Sequence, residues 1–379
     1  MRNSFWISFV VALFISAVIV VNFDKDKFMG MVIESGLMTT KAEISELEFQ
    51  GAFMDFVATY KKSYANSWEF EARYQIFKDN YQRIRDHNLN ADMIGFDLRI
   101  NQFGDLSQEE FKQKYLTLTP PRRGHHGRHQ EKPFAPKKRF SDVSFFETKH
   151  NPLRDLPKEV DWRTTGKVQS VKDQGQCGSC WAFSAIGAME SAVAIKTGTL
   201  PDLSEQQLVD CSTTYGNQGC NGGFMDFGFK YAEDHPMCSE EQYPYNGVDQ
   251  FCKDKDDSLC KGGVKVSDFV DVKQKSKADF YAALAEQPLS IGVCAEGLAW
   301  QFYWSGIVRW LCGACQDHGV LAVGYGHGGW KIFGETDYVI VKNSWGAGWG
   351  EKGYIRIASS EEQGDGTCGI YEMPSFPKV

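Results

Sequence analysis

Several things the chain lacks narrow what it can be. It has no Asn-x-Ser/Thr sequon, so nothing in the sequence supports glycan-directed routing. Beyond residues 5–21 no apolar run is long enough to span a bilayer, which excludes a multi-span membrane protein built of helices. Positive charge is not in excess: the net charge is −8, and residues 156–379 carry about ten net negative charges while the preceding part is slightly positive. That balance argues against a nucleic-acid binder. No internal repeat is visible, and strands do not alternate with helices, so solenoid and doubly wound architectures are disfavoured.

Apolar and sulfur-bearing residues, by contrast, are plentiful. The 379 residues are 42% hydrophobic, with 27 Phe, 15 Tyr and 10 Trp, enough for one large or two medium domains. The 11 cysteines are a heavy load for a reducing cytosol and point to a secreted or lumenal protein. Their number is odd, so at least one thiol has no intramolecular partner: it is free and reactive, paired between chains, or a small buried hydrophobe. Residues 5–21 (FWISFVVALFISAVIVV) are uncharged, and no small-x-small cleavage site follows them. They read as an uncleaved signal anchor or, alternatively, as a signal peptide within residues 1–30. Either delivers the remainder into an oxidising compartment.

Helical signals fill residues 48–117. In residues 69–88, Glu69, Arg73, Phe77, Asn80, Ile84 and Asn88 recur at steps of three or four and share one helical face, with Glu69 and Arg73 set as an i,i+4 ion pair. Downstream, LRINQFGDLSQEEF reads as a strand running into a helix capped by Ser107, with Glu110 as reciprocal partner. Residues 118–155 are different material. PPRRGHHGRHQEKPFAPKKRF is rich in proline and basic groups and has almost nothing to bury, so it reads as an exposed linker open to proteolysis. His125, His126 and His129 within it could bind a metal; the plainer reading is a solvated basic linker. A helix then follows Cys180, with Ala182, Ile186, Met189 and Val193 at helical spacing and Gly198 closing it. Another opens at Ser204, with Gln207 three residues on. After Pro288 the segments LSIGVC, GVLAVGYG, DYVIVKNSWG and GYIRIA look like strands. Helices first and strands later predict an α+β architecture with two lobes.

The stretch DQGQCGSCWAFSAIGAME sets Cys177 and Cys180 three residues apart. As a redox pair they would follow a strand of a βαβ-like unit, with a tryptophan before the first cysteine; here Trp181 follows the second. As half of a zinc site they would need a second pair, which Cys312 and Cys315 could supply, but His318 and Trp181 would then go unexplained. As a nucleophile, one cysteine should sit in a C-G-[SA]-C-[WY] signature with His and Asn far downstream. His318 lies 138 residues after Cys180, and Asn343 lies 163 after it.

QGQCGSCWAFS, CNGGFMDFGF, DHGVLAVGYG and KNSWGAGWGEKGY, in that order, resemble the papain family of cysteine proteases, most closely its cathepsin L branch, over about residues 48–379. The Glu69-to-Asn88 face fits the family's propeptide helix. Asn101, Phe103 and Asp105 resemble its second propeptide motif, with Arg99 where many members have Gly. The resemblance implies a papain-like α+β fold, with a helical left lobe, a β-barrel-like right lobe and a cleft between them. It also implies a helical inhibitory propeptide (48–117), a linker holding the processing site (118–155) and a peptidase domain (156–379).

In that likeness Cys180 is the nucleophile at a helix N-terminus, where backbone dipoles favour its thiolate. His318 is its base and proton donor, and Asn343 holds the imidazole while Trp345 shields that bond. Gln174 and the Cys180 N–H form the oxyanion hole. Cys177 would pair with Cys220, Cys211 with Cys252, and Cys312 with Cys368. Cys238, Cys260, Cys294 and Cys315 lie beyond the usual set; of their three possible pairings, Cys238–Cys260 with Cys294–Cys315 is favoured, and Cys180 is then the odd thiol.

Gly222 and Gly223 would lay a backbone edge along the substrate. Phe224, Met225, Gly292, Gly319 and Met373 would line the pocket for the side chain two residues before the cleaved bond, predicting Leu, Phe or Val there. Gln316, at a usually apolar position, and Glu372 depart from that pattern. The expected partners are protein and peptide substrates and the chain's own propeptide, with no metal or cofactor, a monomeric state, and membrane contact only through the N-terminal segment. The expected address is the secretory pathway, ending in lysosome, vacuole or medium. A non-catalytic relative would have lost a member of the Cys180, His318, Asn343, Gln174 set. An exopeptidase would carry an inserted loop with paired histidines near the cleft, and none is seen.

Overall fold

The computed structural model describes residues 44–121, 144–148, 153, 155–255, 257–330, 334–359 and 364–379. The apolar run at residues 5–21 and the His125, His126, His129 cluster lie outside these. None of the described helices is long and apolar enough to cross a membrane.

Helix α1 (Glu46–Thr59) buries Phe49, Phe53 and Phe56 at helical spacing. They meet α2 (Ser67–Asn88), where Phe77 lies with its ring centroid 5.2 Å from Phe53 and 5.1 Å from Phe56. The Glu69–Arg73 pair expected on α2 does not form. Glu69 turns back to accept from the Ala65 N–H at 2.7 Å, beside the Asn66 cap, and Arg73 reaches across to Glu110 at 2.8 Å and the Asp105 carbonyl at 3.0 Å. A half-buried, charge-assisted contact outweighs an exposed i,i+4 pair worth only a few tenths of a kcal/mol. The strand expected through LRINQFGD does not form there: β1 spans Phe96–Leu98 and ends on the first residue of that segment. A tight turn follows, in which Asn101 Oδ1 accepts from the Phe103 N–H at 3.0 Å, so a local side-chain turn overrides the alternating pattern. Helix α3 (Gln108–Tyr115) starts on the Ser107/Glu110 capping box.

The rest of the chain contributes helices α4 (Cys180–Thr197), α5 (Glu205–Cys211), α6 (Met225–Asp234) and α7 (Lys277–Glu286). Its strands are β2 (Ser144–Phe146), β3 (Val160–Asp161), β4 (Asp268–Val272), β5 (Leu289–Val293), β6 (Tyr303–Val308), β7 (His318–Trp330), β8 (Gly334–Lys342), β9 (Tyr354–Ala358) and β10 (Ser375–Lys378). The sheet runs β1-β6-β9-β8-β7-β5-β10-β4-β2, with β3 pairing β7 off that path. Its end strands are not partners, so the lobe expected to be barrel-like is an open sheet, and one of its edges is β1, from the propeptide side.

Two apolar cores flank the central strands. Val320 and Ala322 of β7 and Val339 and Val341 of β8 face one core, which Trp300, Trp345 and Trp349 share with Phe103 and Phe111. Leu321, Val323 and Ile340 face the other, built on Ala182, Ala185, Ile186 and Met189 of α4. The period of two along a strand sends neighbouring residues to opposite cores, so β7 and β8 read as nearly continuous apolar runs. Five disulfides brace the fold: Cys177–Cys220, Cys211–Cys252, Cys238–Cys260, Cys294–Cys315 and Cys312–Cys368. Neither Cys-x-x-Cys pair is bridged internally: Cys312 and Cys315 take different partners, and of Cys177 and Cys180 only the first is bridged. Cys180 is the free cysteine, and it is buried.

Candidate active site

Cys180 is the first residue of α4, so its sulfur lies where the uncapped N–H groups of the first turn point. The Cys177–Cys220 bridge and a Gly178 N–H to Cys220 carbonyl bond of 2.9 Å fix the loop leading into it. His318 opens β7, and Asn343 directly follows β8. The antiparallel pairing of these strands, with Leu321 opposite Lys342, brings the two side chains together. His318 donates from Nε2 to Asn343 Oδ1 at 2.8 Å, and the same oxygen accepts from the Ser344 N–H at 2.8 Å, which fixes the orientation of the amide. Trp345 stacks on the imidazole, with centroids 4.6 Å apart and planes 26° apart, and covers that bond. The other ring nitrogen, Nδ1, is buried and has no hydrogen-bond partner among the described residues. The backbone groups of Gly319, the residue after His318, and of Trp181 lie near enough to the Cys180 sulfur to favour its ionised form.

Gln174 is fully buried and held at both ends. Its Oε1 accepts from the Ser344 hydroxyl at 2.7 Å, so its Nε2 faces the other way, donating to the Cys177 carbonyl at 3.1 Å.

Residues 116–119 run through this site. The Leu118 N–H donates to the Asp317 carbonyl and the Thr119 N–H to the Gly223 carbonyl, both at 2.9 Å, and the Thr117 hydroxyl lies 3.9 Å from the Cys180 sulfur. Close approach requires Gly222, where a methyl group would lie 2.3 Å from the Thr117 carbonyl oxygen and φ is +120°. The Leu118 side chain lies against Gly292 and belongs to the same apolar cluster as Phe224 and Met225, with Met373 at that cluster's margin. Gly319 lies beside Met225, whose sulfur a methyl at Gly319 would meet at 3.3 Å. Gln316 lies over Gly292: a methyl there would sit 2.2 Å from Gln316 Oε1, an oxygen buried without a partner among the described residues. Glu372 instead pairs with Lys275 at 2.9 Å.

Electrostatically the covered site is quiescent. Burial pushes the Cys180 thiol up, against the pull of the Gly319 N–H and the Thr117 hydroxyl. Burial also brings the His318 imidazole down to about 4, against the Asn343 bond and the nearby Tyr115 carbonyl. Both shifts favour neutral partners over a thiolate–imidazolium pair while the propeptide is in place.

A papain family cysteine protease domain matches residues 156–378, and a cathepsin propeptide inhibitor domain (I29) matches residues 53–111. The chain belongs to the papain family of cysteine proteases. It is 41% identical to Cysteine protease XCP2 of Arabidopsis thaliana over 86% of this chain and 85% of the relative. Among solved structures it is similar to digestive procathepsin L 3 of Tenebrio molitor larval midgut, with a TM-score of 0.71 and 36% identity over 87% of this chain and 99% of that one. It is also similar to a recombinant stem bromelain precursor, with a TM-score of 0.73 and 32% identity over the same two shares. This papain-family chain is accordingly a cysteine endopeptidase made as a zymogen, acting on peptide bonds and inhibited by its own propeptide.

Sequence reasoning did not find several residues that lie at the candidate site: Thr117 and Leu118 beside it, Ser344 on Gln174, and Asp317, whose carboxyl burial lifts to about 6. Leu118 and Thr119 fall inside the stretch that reads as linker. Ser344 and Asp317 adjoin motif residues and carry no pattern of their own.

Proposed function

We propose that Cys180, His318, Asn343 and Gln174 are the catalytic set of this endopeptidase. The observation that carries the reading is the one free thiol among the described residues, placed at a helix N-terminus whose first residue lies against Gly319, the residue after a histidine whose Nε2 is held by Asn343. Once the propeptide leaves and water re-enters, the charged forms cease to be penalised, and the thiol proton passes to His318 Nδ1. The thiolate attacks the scissile carbonyl, forming a C–S bond while the carbonyl electron pair moves onto oxygen. Gln174 Nε2 and the Cys180 N–H donate to that oxyanion. The imidazolium gives its proton to the departing amine, and water then cleaves the acyl–enzyme with His318 as base. An epoxide thiol trap should label Cys180 alone, and Cys180→Ala should lower peptide hydrolysis by at least about a thousandfold. Label elsewhere, or hydrolysis retained, refutes the assignment.

The apolar surroundings of Leu118 favour Leu, Phe or Val two residues before the cleaved bond, since this first residue of the linker already sets a leucine side chain there, against Gly292. A substrate panel showing preference for Arg there would overturn this. We further propose the division into residues 1–30 (signal peptide or signal anchor), 48–117 (helical inhibitory propeptide), 118–155 (basic linker with the processing site) and 156–379 (peptidase). The mature enzyme is read as a monomer delivered by the secretory pathway to a lysosome, vacuole or the medium. Five disulfides support an oxidising address. Fractionation with sedimentation would refute that reading by finding the enzyme cytosolic or oligomeric.

A further inference from the structure

We propose that Tyr245 is a positioning residue for the oxyanion donors, an inference that rests on reading Gln174 and the Cys180 N–H as those donors. The Tyr245 hydroxyl donates to the Gln174 backbone carbonyl at 2.8 Å and lies 2.7 Å from the Ser179 hydroxyl, which donates to it in turn. It therefore ties the loop bearing one donor to the residue that precedes the other.

Ser179 makes the arrangement telling. It occupies the N-cap of α4, where a serine ordinarily turns its oxygen onto an N–H of the first helical turn. Here it makes no such cap bond. Its hydroxyl is drawn to Tyr245; of the first-turn N–H groups that of Ala182 donates to the Ser179 carbonyl at 2.8 Å, and those of Cys180 and Trp181 are left for the site. The Gln174 peptide is restrained from the other side as well, its N–H donating to the Ser344 carbonyl at 2.9 Å. Tyr245 is itself held firmly: Phe183 meets its ring edge-on at 4.9 Å, and its N–H donates to Glu240 at 2.7 Å. Burial raises the phenol's pKa, so the hydroxyl stays a donor through neutral and acid pH.

Removing that one oxygen frees the Ser179 hydroxyl to rotate onto the helix N–H groups and releases the Gln174 carbonyl. Binding of the ground-state peptide should hardly change, whereas the oxyanion should be held less well.

The test compares Tyr245→Phe, Gln174→Ala and wild type, each expressed as the full chain, activated, and counted by epoxide titration of Cys180 so that only folded sites enter the rate. For Tyr245→Phe the expected result is kcat on a peptide amide down about tenfold with KM within about twofold. Affinity for a peptide aldehyde, whose adduct carries the oxyanion, should weaken by about the same factor. Alkylation of Cys180 by iodoacetamide, which makes no oxyanion, should stay within about twofold of wild type. Gln174→Ala should lose about a hundredfold in kcat. If Gln174→Ala is silent, the reading of the oxyanion hole is wrong. If Gln174→Ala is impaired but Tyr245→Phe keeps wild-type kcat and aldehyde affinity, or loses alkylation rate in equal measure, the role assigned to Tyr245 is wrong.

Discussion

With the propeptide over it, the His318 imidazole is enclosed by Trp300, Trp345 and the Tyr115 carbonyl, and burial there lowers its pKa to about 4. An unconstrained histidine titrates near 6.5. Between those values the unfolded chain takes up a proton that the closed precursor refuses. This residue's contribution is thus complete above about pH 6.5 and lost as pH falls through about 4, amounting to about 3 kcal/mol. Asp317, one residue earlier, works with the opposite sign. Burial raises its carboxyl to about 6, with Glu296 adding to the rise and Lys112 opposing it. Its contribution is complete below its ordinary pKa near 3.8 and lost as pH rises through about 6, by a similar amount. The two nearly cancel in the parent. In a Cys180→Ala precursor, which cannot cut itself, His318→Gln should hold Tm up by about 5 °C relative to the parent on going from pH 7 to pH 4, and Asp317→Asn should depress it by about as much. Parallel Tm–pH curves for all three would show that neither group is coupled to closure.

At the scale of elements, the polar residues of α2 fasten the turn at residues 101–106 to the peptidase. Asn80 Nδ2 donates to the carbonyls of Gly104 at 3.0 Å and Leu106 at 2.9 Å, and in the same turn Asn101 donates to the Gln301 carbonyl at 2.7 Å and Gln102 to that of Trp345 at 2.8 Å. Phe103 then sets its ring edge-on against Trp345 at 5.4 Å. Replacing Asn80 with Ala leaves two carbonyls in a buried place without that donor, costing about 1–3 kcal/mol. The uncleaved Asn80→Ala precursor should therefore hydrolyse peptide about tenfold faster than its parent at neutral pH. Trp68→Ala, at an exposed site on the same helix, should change nothing. Equal leakage from the two variants would remove α2 from the inhibitory mechanism. The α2 helix, the α3 cap and the start and stop of α4 could be read from local spacing, because each depends on residues within one or two turns. What the polar face of α2 grips could not: Arg73 finds Glu110 and Asn80 finds the turn only after the chain has folded back. Arg99 is a similar case, since its guanidinium covers Trp304, 4.2 Å from the ring centroid, more than two hundred residues away in sequence.

For the whole molecule, the spacing of Cys180, His318 and Asn343 points to one site, yet spacing carries no information on Tyr245, which reaches Gln174 only across folded loops. The openness of the sheet was equally illegible, because strand patterns report which face is buried and not which edge is left without a neighbour. That edge matters for folding. β1 pairs β6, and Ile84, Phe96, Leu98, Phe103, Phe111 and Tyr115 lie in the same apolar core as Trp300, Trp345 and Trp349. Without residues 44–121, β6 would present an unpaired edge beside exposed tryptophans while the chain must still assemble a sheet from strands distant in sequence, a slow and aggregation-prone step. After unfolding in urea with disulfides intact, the full precursor should therefore regain activity, once activated, in at least about tenfold higher yield than residues 156–379 diluted under the same conditions. Supplying residues 44–121 as a separate chain should recover part of the difference, since the contacts at β6 and Trp345 need no covalent link to form. Equal recovery from both forms would mean that the shared core is a consequence of inhibition and has no part in folding.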